Sequence, residues 1–447
     1  MKKMAMAMVG LTAVATIAAL PTTASAAATI SDVIVRQQWP WNGKVNIDYI
    51  LHGDEGSQHD ITVTLRNGST VMTNEYGSLS GDLIGVTPGA RRIVWDPAYN
   101  NPSYAEALMV NFSATLSTAE DDNTYMIVDL SGGASAAEYP VSFMSAPPAG
   151  GWTDEYKTDK LVLRRIPAGS AVLGSPTDEI GRTARVETQR KTTFTNSFYM
   201  ALFETTEKQF INVMGYDPNV LANGHADANP AICVNYLLLR GTNTVAGSTA
   251  ASVSSCVWPG HESTSFFGVL NSKLPAAALS AAGLGDYEME LPTVSQWEYA
   301  CRAGTIGAWN NGTTITNATT DANAGLLAYY RGADSAIPVS VGGKVPNAYG
   351  LYDMHGNVAE MCRDTVRFNQ STDYWDGSDQ IEPLLHITTP SGHASCCMAR
   401  GGAYRSSTAS TVRAASSSEL TLGTYKLAPS SAENYKYGFR MVLTRKR

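Results

Sequence analysis

The residues that decide the fold are Val345–Asp364, with the sequence VPNAYGLYDMHGNVAEMCRD. Three side chains with oxygen donors, Asp353, Asn357 and Glu360, lie within eight positions of this stretch, and Gly350 lets the backbone bend beside the first of them. Hard oxygen donors at close spacing are what a calcium ion selects. The alternative is a polar turn whose side chains cap their own backbone. The stretch alone leaves both interpretations open.

Four further blocks accompany this stretch. Upstream are Phe198–Phe210 (FYMALFETTEKQF) and Leu291–Thr305 (LPTVSQWEYACRAGT), and downstream are Arg400–Tyr404 (RGGAY) and Gly438–Arg440 (GFR). In this order the blocks resemble the formylglycine-generating enzyme (sulfatase-modifying factor) family over roughly residues 160–445. The resemblance implies a C-type-lectin-like fold that is rich in ordered loops.

The resemblance also assigns calcium ligands by position. It implies three side-chain ligands and two residues whose backbone carbonyls complete the shell: Asp353, Asn357, Glu360, His355 and Gly356. A second site is implied at Asn323, for which Asp334 is a further candidate ligand. Because an ion bound only by the native state stabilises that state, structural calcium should raise the melting temperature.

Catalysis in the family is the oxidation of a client sulfatase's cysteine to formylglycine, and the resemblance implies a copper(I) ion held by two thiolates. Soft thiolates suit copper(I). The two thiolate positions fall on Ser406 and Thr411, and Ala403 and Ala359 stand where the family has a serine and a tryptophan. The resemblance therefore predicts a retained scaffold without a catalytic copper site.

Three functional hypotheses follow. The first is an exported binding or surface module, stabilised by calcium, that binds an unknown protein or glycan through the polar segment Ser406–Tyr437. The alternative is an active oxidoreductase that converts a protein cysteine to formylglycine with Cys396 and Cys397 as non-standard ligands. The third is a purely structural two-domain module. Iron oxygenase chemistry of the related sulfoxide synthases is disfavoured because the chain lacks their histidine pattern.

The N-terminus has the features of a secretory signal peptide over residues 1–26. Two lysines, Lys2 and Lys3, precede the apolar run Met4–Leu20 and the small-residue cleavage site Ala24–Ala26. The alternative is a retained membrane anchor. Apart from this run, no stretch reaches the length that a spanning helix needs. The sequence therefore predicts a secreted, periplasmic or cell-surface protein.

Charge argues against nucleic acid as a partner. The 32 basic residues face 40 acidic residues, which gives a net charge of −8. Binding to a phosphate backbone requires a basic face. The chain also has only 16% charged residues, which is typical of a loop-rich, β-leaning exported protein.

Before residue 149 the pattern is all β. Short apolar–polar alternation predicts strands within residues 27–148: Lys44–Leu51, Asp60–Leu65, Arg91–Trp95, Ala107–Leu116 and Tyr125–Leu130. Their regular spacing favours an immunoglobulin-like β-sandwich. Proline and glycine are dense near residues 146–152, which places a linker at 149–159 before the second domain, residues 160–447.

Within that domain a capping box at Thr293 predicts the helix Val294–Arg302. The fold class is therefore α+β.

The six cysteines predict at least one disulfide, since export permits them. Cys233 and Cys256 flank an Ala/Ser/Thr-rich insertion that such a bond would staple. Cys362 is expected to pair with Cys396 or Cys397.

Overall fold

The structure is a computed structural model. It describes residues 28–38, 43–54, 59–67, 70–71, 79–83, 85–97, 112–118, 123–218, 226–241, 260–330, 338–366, 373–386, 396–421 and 436–447. The expected signal peptide, Cys256 and Asp334 lie outside the described residues. None of the helices within these ranges has both the length and the hydrophobicity of a membrane-spanning segment.

The N-terminal part forms two small sheets. Its strands are β1 (Thr29–Gln37), β2 (Val45–His52), β3 (Ile61–Asn67), β4 (Thr70–Val71), β5 (Leu79–Gly81), β6 (Gly89–Trp95) and β7 (Phe112–Thr118). One sheet has the order β1-β2-β6-β5 and the other has the order β4-β3-β7, and all of these pairings are antiparallel.

The alternation of buried and partly exposed residues along the strands explains how these two sheets pack. In β2, Val45, Ile47, Tyr49 and Leu51 are buried, while the residues between them are partly exposed. Successive side chains of a strand point to opposite faces, so these four define one apolar face. They share a single hydrophobic core with buried residues of β3 and β6. The β character predicted from the sequence is thus observed here.

The remaining strands belong to the second part of the chain. They are β8 (Tyr125–Asp129), β9 (Val141–Met144), β10 (Lys160–Ile166), β11 (Gly169–Leu173), β12 (Arg190–Phe194), β13 (Phe198–Ala201), β14 (Tyr287–Glu290), β15 (Ala328–Tyr329), β16 (His355–Gly356), β17 (Ala359–Val366), β18 (Gln380–Ile381), β19 (Cys396–Arg400), β20 (Ser417–Thr421), β21 (Tyr437–Phe439) and β22 (Val442–Arg445). Short helices lie between them: α1 (Glu207–Met214), α2 (Tyr236–Arg240), α3 (Phe266–Ser272), α4 (Ala276–Ala281), α5 (Val294–Arg302) and α6 (Ala322–Leu327).

The expected domain boundary does not coincide with the sheet boundary. β8 pairs with β10 in a six-stranded sheet of order β14-β22-β13-β10-β8-β9. Tyr125–Asp129, which the sequence places in the N-terminal domain, is therefore hydrogen-bonded into the second unit. Alternation identified the strand, but it carries no information about which strand becomes its partner.

A second sheet, of order β20-β19-β17-β21, contains a long strand that is buried along its whole length. All eight residues of β17 are buried because it lies between β19 and β21 and has a core on each face. Met361 packs in one core and Cys362 in the other. Smaller sheets, β11-β12-β18 and β15-β16, complete a mostly β unit with few helices. This agrees with the C-type-lectin-like fold that the resemblance implies.

The predicted helix α5 is confirmed. The Thr293 hydroxyl accepts a hydrogen bond from the Gln296 amide at 3.0 Å, and the Gln296 side chain accepts one from the Thr293 amide at 3.0 Å. This reciprocal box satisfies two N–H groups that a helix start leaves unpaired. Trp297 and Cys301, on the inner face, are fully buried.

Candidate functional site

At Gly356 the stretch Val345–Asp364 passes very close to the backbone of Tyr329. Gly356 pairs in parallel with Tyr329, and its backbone has a φ of +84°. A Cβ at this position would lie 2.3 Å from the Tyr329 carbonyl oxygen, so only glycine fits. This contact fixes where Asn357 and Glu360 enter the core.

Asp353 is buried at the start of this loop. Its carboxylate accepts hydrogen bonds from the backbone amides of Gly342 and Lys344. Burial raises the pKa of Asp353, and the two amide donors oppose that rise. The side chain therefore ties the loop to the segment around residues 342–344.

Asn357 binds a carboxylate that sequence reasoning missed. Its side-chain amide donates to Glu204 at 2.6 Å and to the Val339 carbonyl at 3.2 Å, and its Oδ1 accepts from the Val339 amide. The Glu204 carboxylate also accepts from the Val358 amide at 3.0 Å. Burial raises the pKa of Glu204 well above its usual range, and the nearby charges of Asp353 and Glu360 add to the shift.

Glu360 is paired with an arginine. Both of its carboxylate oxygens accept from the Arg440 guanidinium at 2.8–3.1 Å, and one accepts from Trp297 Nε1 at 2.6 Å. Arg440 is fully buried, and its other N–H groups donate to the carbonyls of Ala201, Leu202 and Tyr352. All the donors of this guanidinium are satisfied within the protein.

His355 holds the neighbouring loop with a neutral ring. Its Nδ1–H donates to the Val412 carbonyl at 2.7 Å, and its Nε2 accepts from the Asn310 amide at 3.2 Å. Burial lowers the pKa of His355 to about 4, so the ring stays uncharged at neutral pH. The imidazole is a structural link and not a metal ligand in this arrangement.

Asn323 lies away from these contacts. It is on α6, and its Oδ1 accepts from the side-chain amide of Asn311 at 3.0 Å. Among the described residues no hydrogen bond or ion pair joins Asn323 to Asp353 or Glu360. Asn323 is therefore separate from the other predicted ligands.

The cluster of Asp353, Asn357 and Glu360 favours a cation through the negative charge around it more than through the arrangement of its oxygen atoms. Three buried carboxylates, Glu204, Asp353 and Glu360, influence one another and face a single guanidinium, that of Arg440. Either protons or a bound cation must balance the remaining negative charge, because unpaired buried charge is costly. However, within the described ranges no three His, Cys, Asp or Glu side chains are arranged as a metal site. An ion here would compete with Arg440 for Glu360.

The degenerate catalytic positions lie in a tight loop after β19. Gly402 has a φ of +68°, and a Cβ there would lie 2.6 Å from the Thr411 carbonyl oxygen. Ser406 accepts a hydrogen bond from the Ala403 amide at 3.0 Å, and Thr411 donates to the Thr408 carbonyl at 2.7 Å. Both hydroxyls therefore serve local turns, and neither can hold copper(I) as a thiolate.

Four buried cysteines, Cys301, Cys362, Cys396 and Cys397, are not arranged like a pair of copper ligands. Burial raises the pKa of Cys301 and of Cys362, so both are protonated thiols. Cys396 and Cys397 are buried in β19 and pack in different cores. Since neighbouring side chains of a strand point to opposite faces, the thiols of Cys396 and Cys397 cannot bind one ion from the same side.

The expected link from Cys362 to Cys396 or Cys397 is absent from the structure. Cys362 is a free thiol whose Sγ lies 3.7 Å from the Glu360 carbonyl oxygen. The pairing register of β17 and β19 shifts between Met361 and Thr365, so no cysteine lies directly opposite Cys362. The Cys233–Cys256 bond cannot be followed, since Cys256 is outside the described residues.

A second buried ion network joins other motif blocks. Glu298, from the α5 block, accepts from Arg302 at 2.9 Å and from Arg400 at 3.1 Å, and it also accepts from the Gly174 amide. Burial opposes ionisation, but the arginines prevail and lower the pKa of Glu298. Residues of the short sequence motifs therefore form buried ion pairs that connect distant segments of the domain.

This combination of ordered loops, capped short helices and two buried carboxylate–arginine networks defines a sulfatase-modifying-factor-type domain. The chain belongs to the family described as the sulfatase-modifying factor enzyme 1-like domain, which it matches over residues 153–445. The resemblance seen in the sequence is thus confirmed at the level of family.

Among solved structures the chain is similar to three proteins. Treponema denticola variable protein 1 has 20% identity and a TM-score of 0.44, over 64% of this chain and 95% of that one. PvdO from Pseudomonas aeruginosa has 19% identity and a TM-score of 0.40, over 63% and 94%. CarF has 16% identity and a TM-score of 0.34, over 63% and 97%. No curated protein matches the chain.

Proposed function

We propose that this chain is an exported protein whose family domain acts as a binding or surface module and does not carry out copper-dependent cysteine oxidation. The observation that supports the proposal most is the set of contacts around Ala403, Ser406 and Thr411. These three positions lack thiols, and the two hydroxyls are used in local turns. The signal-like residues 1–26 support export to the periplasm, the cell surface or the medium.

The N-terminal part is proposed to be an immunoglobulin-like sandwich that supports or presents the family domain. Two antiparallel sheets around one core favour this arrangement. Ligand binding by the family domain is proposed for the polar segment Ser406–Tyr437, of which residues 422–435 lie outside the described ranges. The ligand would be a protein or a glycan.

Structural calcium belongs to the same proposal. The excess of buried carboxylates around Arg440 supports a cation near Asp353 and Asn357, because it would neutralise charge that otherwise requires protons. When bound, the ion would cross-link the loop to its neighbours and would take no part in chemistry.

A turnover assay tests the loss of oxidase chemistry. The purified protein, supplied with copper(I) and oxygen, is incubated with a peptide that carries a sulfatase-type cysteine motif, and mass spectrometry follows conversion of thiol to aldehyde. We expect no conversion while an active family member converts the peptide in parallel. Conversion by this protein would overturn the proposal and would return attention to Cys396 and Cys397.

A further inference from the structure

Two buried arginines of the second unit each have an N–H group without an acceptor. Among the described residues, Arg190 Nε and Arg400 Nε take part in no hydrogen bond, although both side chains are almost completely buried. The hydroxyl of Ser417, on β20, is also buried and without a partner. A buried polar group that lacks a partner is costly, and such groups often contact a water molecule or an ion. These three groups therefore point to a bound ligand that accepts hydrogen bonds.

Strand pairing places two of these groups next to each other. Arg400 and Ser417 are directly opposite residues of β19 and β20, so their side chains lie on the same face of the sheet. The guanidinium of Arg400 donates to the Ala415 carbonyl at 2.7 Å and to Glu298 at 3.1 Å, which fixes it beside the start of β20. Arg400 Nε–H and the Ser417 hydroxyl are therefore neighbouring donors.

Arg190 reaches the same face of this sheet from β12. Its guanidinium stacks on the ring of Trp375, 3.5 Å from the ring centroid. The residue before Trp375 is Tyr374, whose hydroxyl donates to the carboxylate of Glu419. Because alternate residues of a strand point to the same side, Glu419 and Ser417 share one face of β20. Trp375 therefore lies near that face, and it holds Arg190 there.

The charges around these donors leave a positive excess. Among the described residues Arg190 has no carboxylate partner, because its side-chain hydrogen bonds go to a hydroxyl and a backbone carbonyl. Burial raises the pKa of Glu298, but Arg302, Arg400 and Arg190 together lower it. Asp364 is the other acidic group that acts on Arg190, so three positive charges face two negative ones. Because arginine keeps its proton in a protein, one bound anion would balance this excess.

We propose that a monovalent inorganic anion of the halide class, such as chloride, binds between Arg190 and Arg400. It accepts hydrogen bonds from the Nε–H groups of both arginines and from the Ser417 hydroxyl. A water molecule would also accept from these donors, but it would leave the excess charge unbalanced. The donor atoms are enclosed by protein, which favours a single-atom ion over a larger oxyanion.

This inference does not depend on the proposed function. The anion site uses no residue of the loop 403–411 and none of the carboxylates around Arg440. When bound, the ion would connect β12 to β20 inside the core. Its expected effect is therefore on the stability of the family domain.

Melting in two salts tests the proposal. The melting temperature of the purified full chain is measured by calorimetry in sodium chloride and in sodium gluconate of equal ionic strength, because gluconate is too large for an enclosed site. An ion that binds only the native state stabilises it, so chloride at a tenfold excess over its Kd should raise the melting temperature by about 3 °C or more. Equal melting temperatures in the two salts at every concentration would overturn the proposal.

Adjacent serines provide matched variants. Ser417→Ala removes one proposed donor, so the Kd fitted from the chloride dependence should rise about tenfold. Ser418→Ala is the control, because Ser418 is exposed and points to the other face of β20. Arg190→Met should abolish the chloride response, whereas Arg36→Met, which removes an exposed ion pair, should retain it. Equal chloride responses of the two serine variants would contradict the assigned site.

Anomalous diffraction locates the ion directly. Crystals of the full chain are grown in sodium bromide, since bromide is a heavier halide with a measurable anomalous signal. We expect a bromide peak in hydrogen-bond contact with Arg190, Arg400 and Ser417, present in Ser418→Ala and weaker in Ser417→Ala. Bromide found only at exposed side chains would mean adventitious ions only, and it would overturn the proposal.

Discussion

The network around Arg440 and the loop 403–411 belong to the same family domain, yet their side-chain hydrogen bonds span different distances along the sequence. Around Arg440 the partners are far apart in sequence: Glu360 bonds Arg440 and Trp297, and Asn357 bonds Glu204. In the loop, Ser406 and Thr411 bond residues only three positions away. Around Arg440 side chains hold distant segments together, whereas in the loop the hydroxyls of Ser406 and Thr411 serve only their own turns. The loop is joined to distant segments through backbone amides, such as that of Tyr404, which donates to the Asn357 carbonyl. A chain can therefore carry the family's scaffold without its chemistry.

The largest expected effect is at Arg440. Arg440→Met leaves Glu360 buried without its counter-charge, so we expect the free energy of unfolding to fall by about 3–5 kcal/mol. Chemical denaturation measures this loss. Arg36→Met is the matched control, because Arg36 forms an exposed ion pair with Asp48 and should cost at most about 1 kcal/mol. Similar losses in both variants would show that the buried network does not hold the domain together.

Chelation should have the next largest effect. If calcium neutralises the carboxylates near Arg440, removing it with a chelator lowers the melting temperature, and an ion at a hundredfold excess over its Kd contributes about 2.7 kcal/mol. Differential scanning calorimetry with and without chelator measures the shift, and magnesium serves as the control ion. An unchanged melting temperature in excess chelator would contradict structural calcium and leave protons to balance the cluster.

A smaller effect is expected from pH. The folded protein holds a proton on Glu204 above the ordinary carboxyl pKa of 4.5, so it binds more protons than the unfolded chain there. The contribution of Glu204 to stability should therefore be complete below that value and be lost as the pH rises through the raised pKa. In metal-free buffer Glu204→Gln should flatten this slope, whereas the exposed-site variant Glu155→Gln should retain it. An equal pH dependence of the parent protein and of Glu204→Gln would contradict the raised pKa.

The smallest effect is expected in the loop. Thr411→Ala removes one exposed, local hydrogen bond, so its free energy of unfolding should change by no more than about 0.5 kcal/mol. Denaturation beside Arg440→Met gives the contrast directly. A large loss on Thr411→Ala would mean that the Thr411 hydroxyl does more than support its own turn.

Local patterns predicted local structure well. The capping box at Thr293 gave α5 with its observed ends, and the alternation in β2 and β3 identified their strands. The motif blocks also predicted the family. These features depend on residues a few positions apart, where sequence and structure share one period.

The sequence did not predict which charged residues and which strands, far apart along the chain, pair with each other. Glu204 and Arg440 both lie in quoted blocks, but nothing local shows that they lie near Glu360, and β8 gave no sign of joining β10. Calcium positions taken from the resemblance included Glu360, whose oxygens Arg440 already holds. The sequence offered one signal, a glutamate in one block and an arginine in another. An ion pair expected between such residues would have pointed to the network.

The most direct test of the central claim is a copper(I) titration against a chromogenic chelator of known affinity. We expect the parent protein to take no copper from the chelator, and the double variant with Ser406→Cys and Thr411→Cys to take one ion. Each single variant should bind far more weakly, because one thiolate cannot replace the pair. Tight, stoichiometric copper(I) binding by the parent protein would contradict the claim that this scaffold has no copper chemistry.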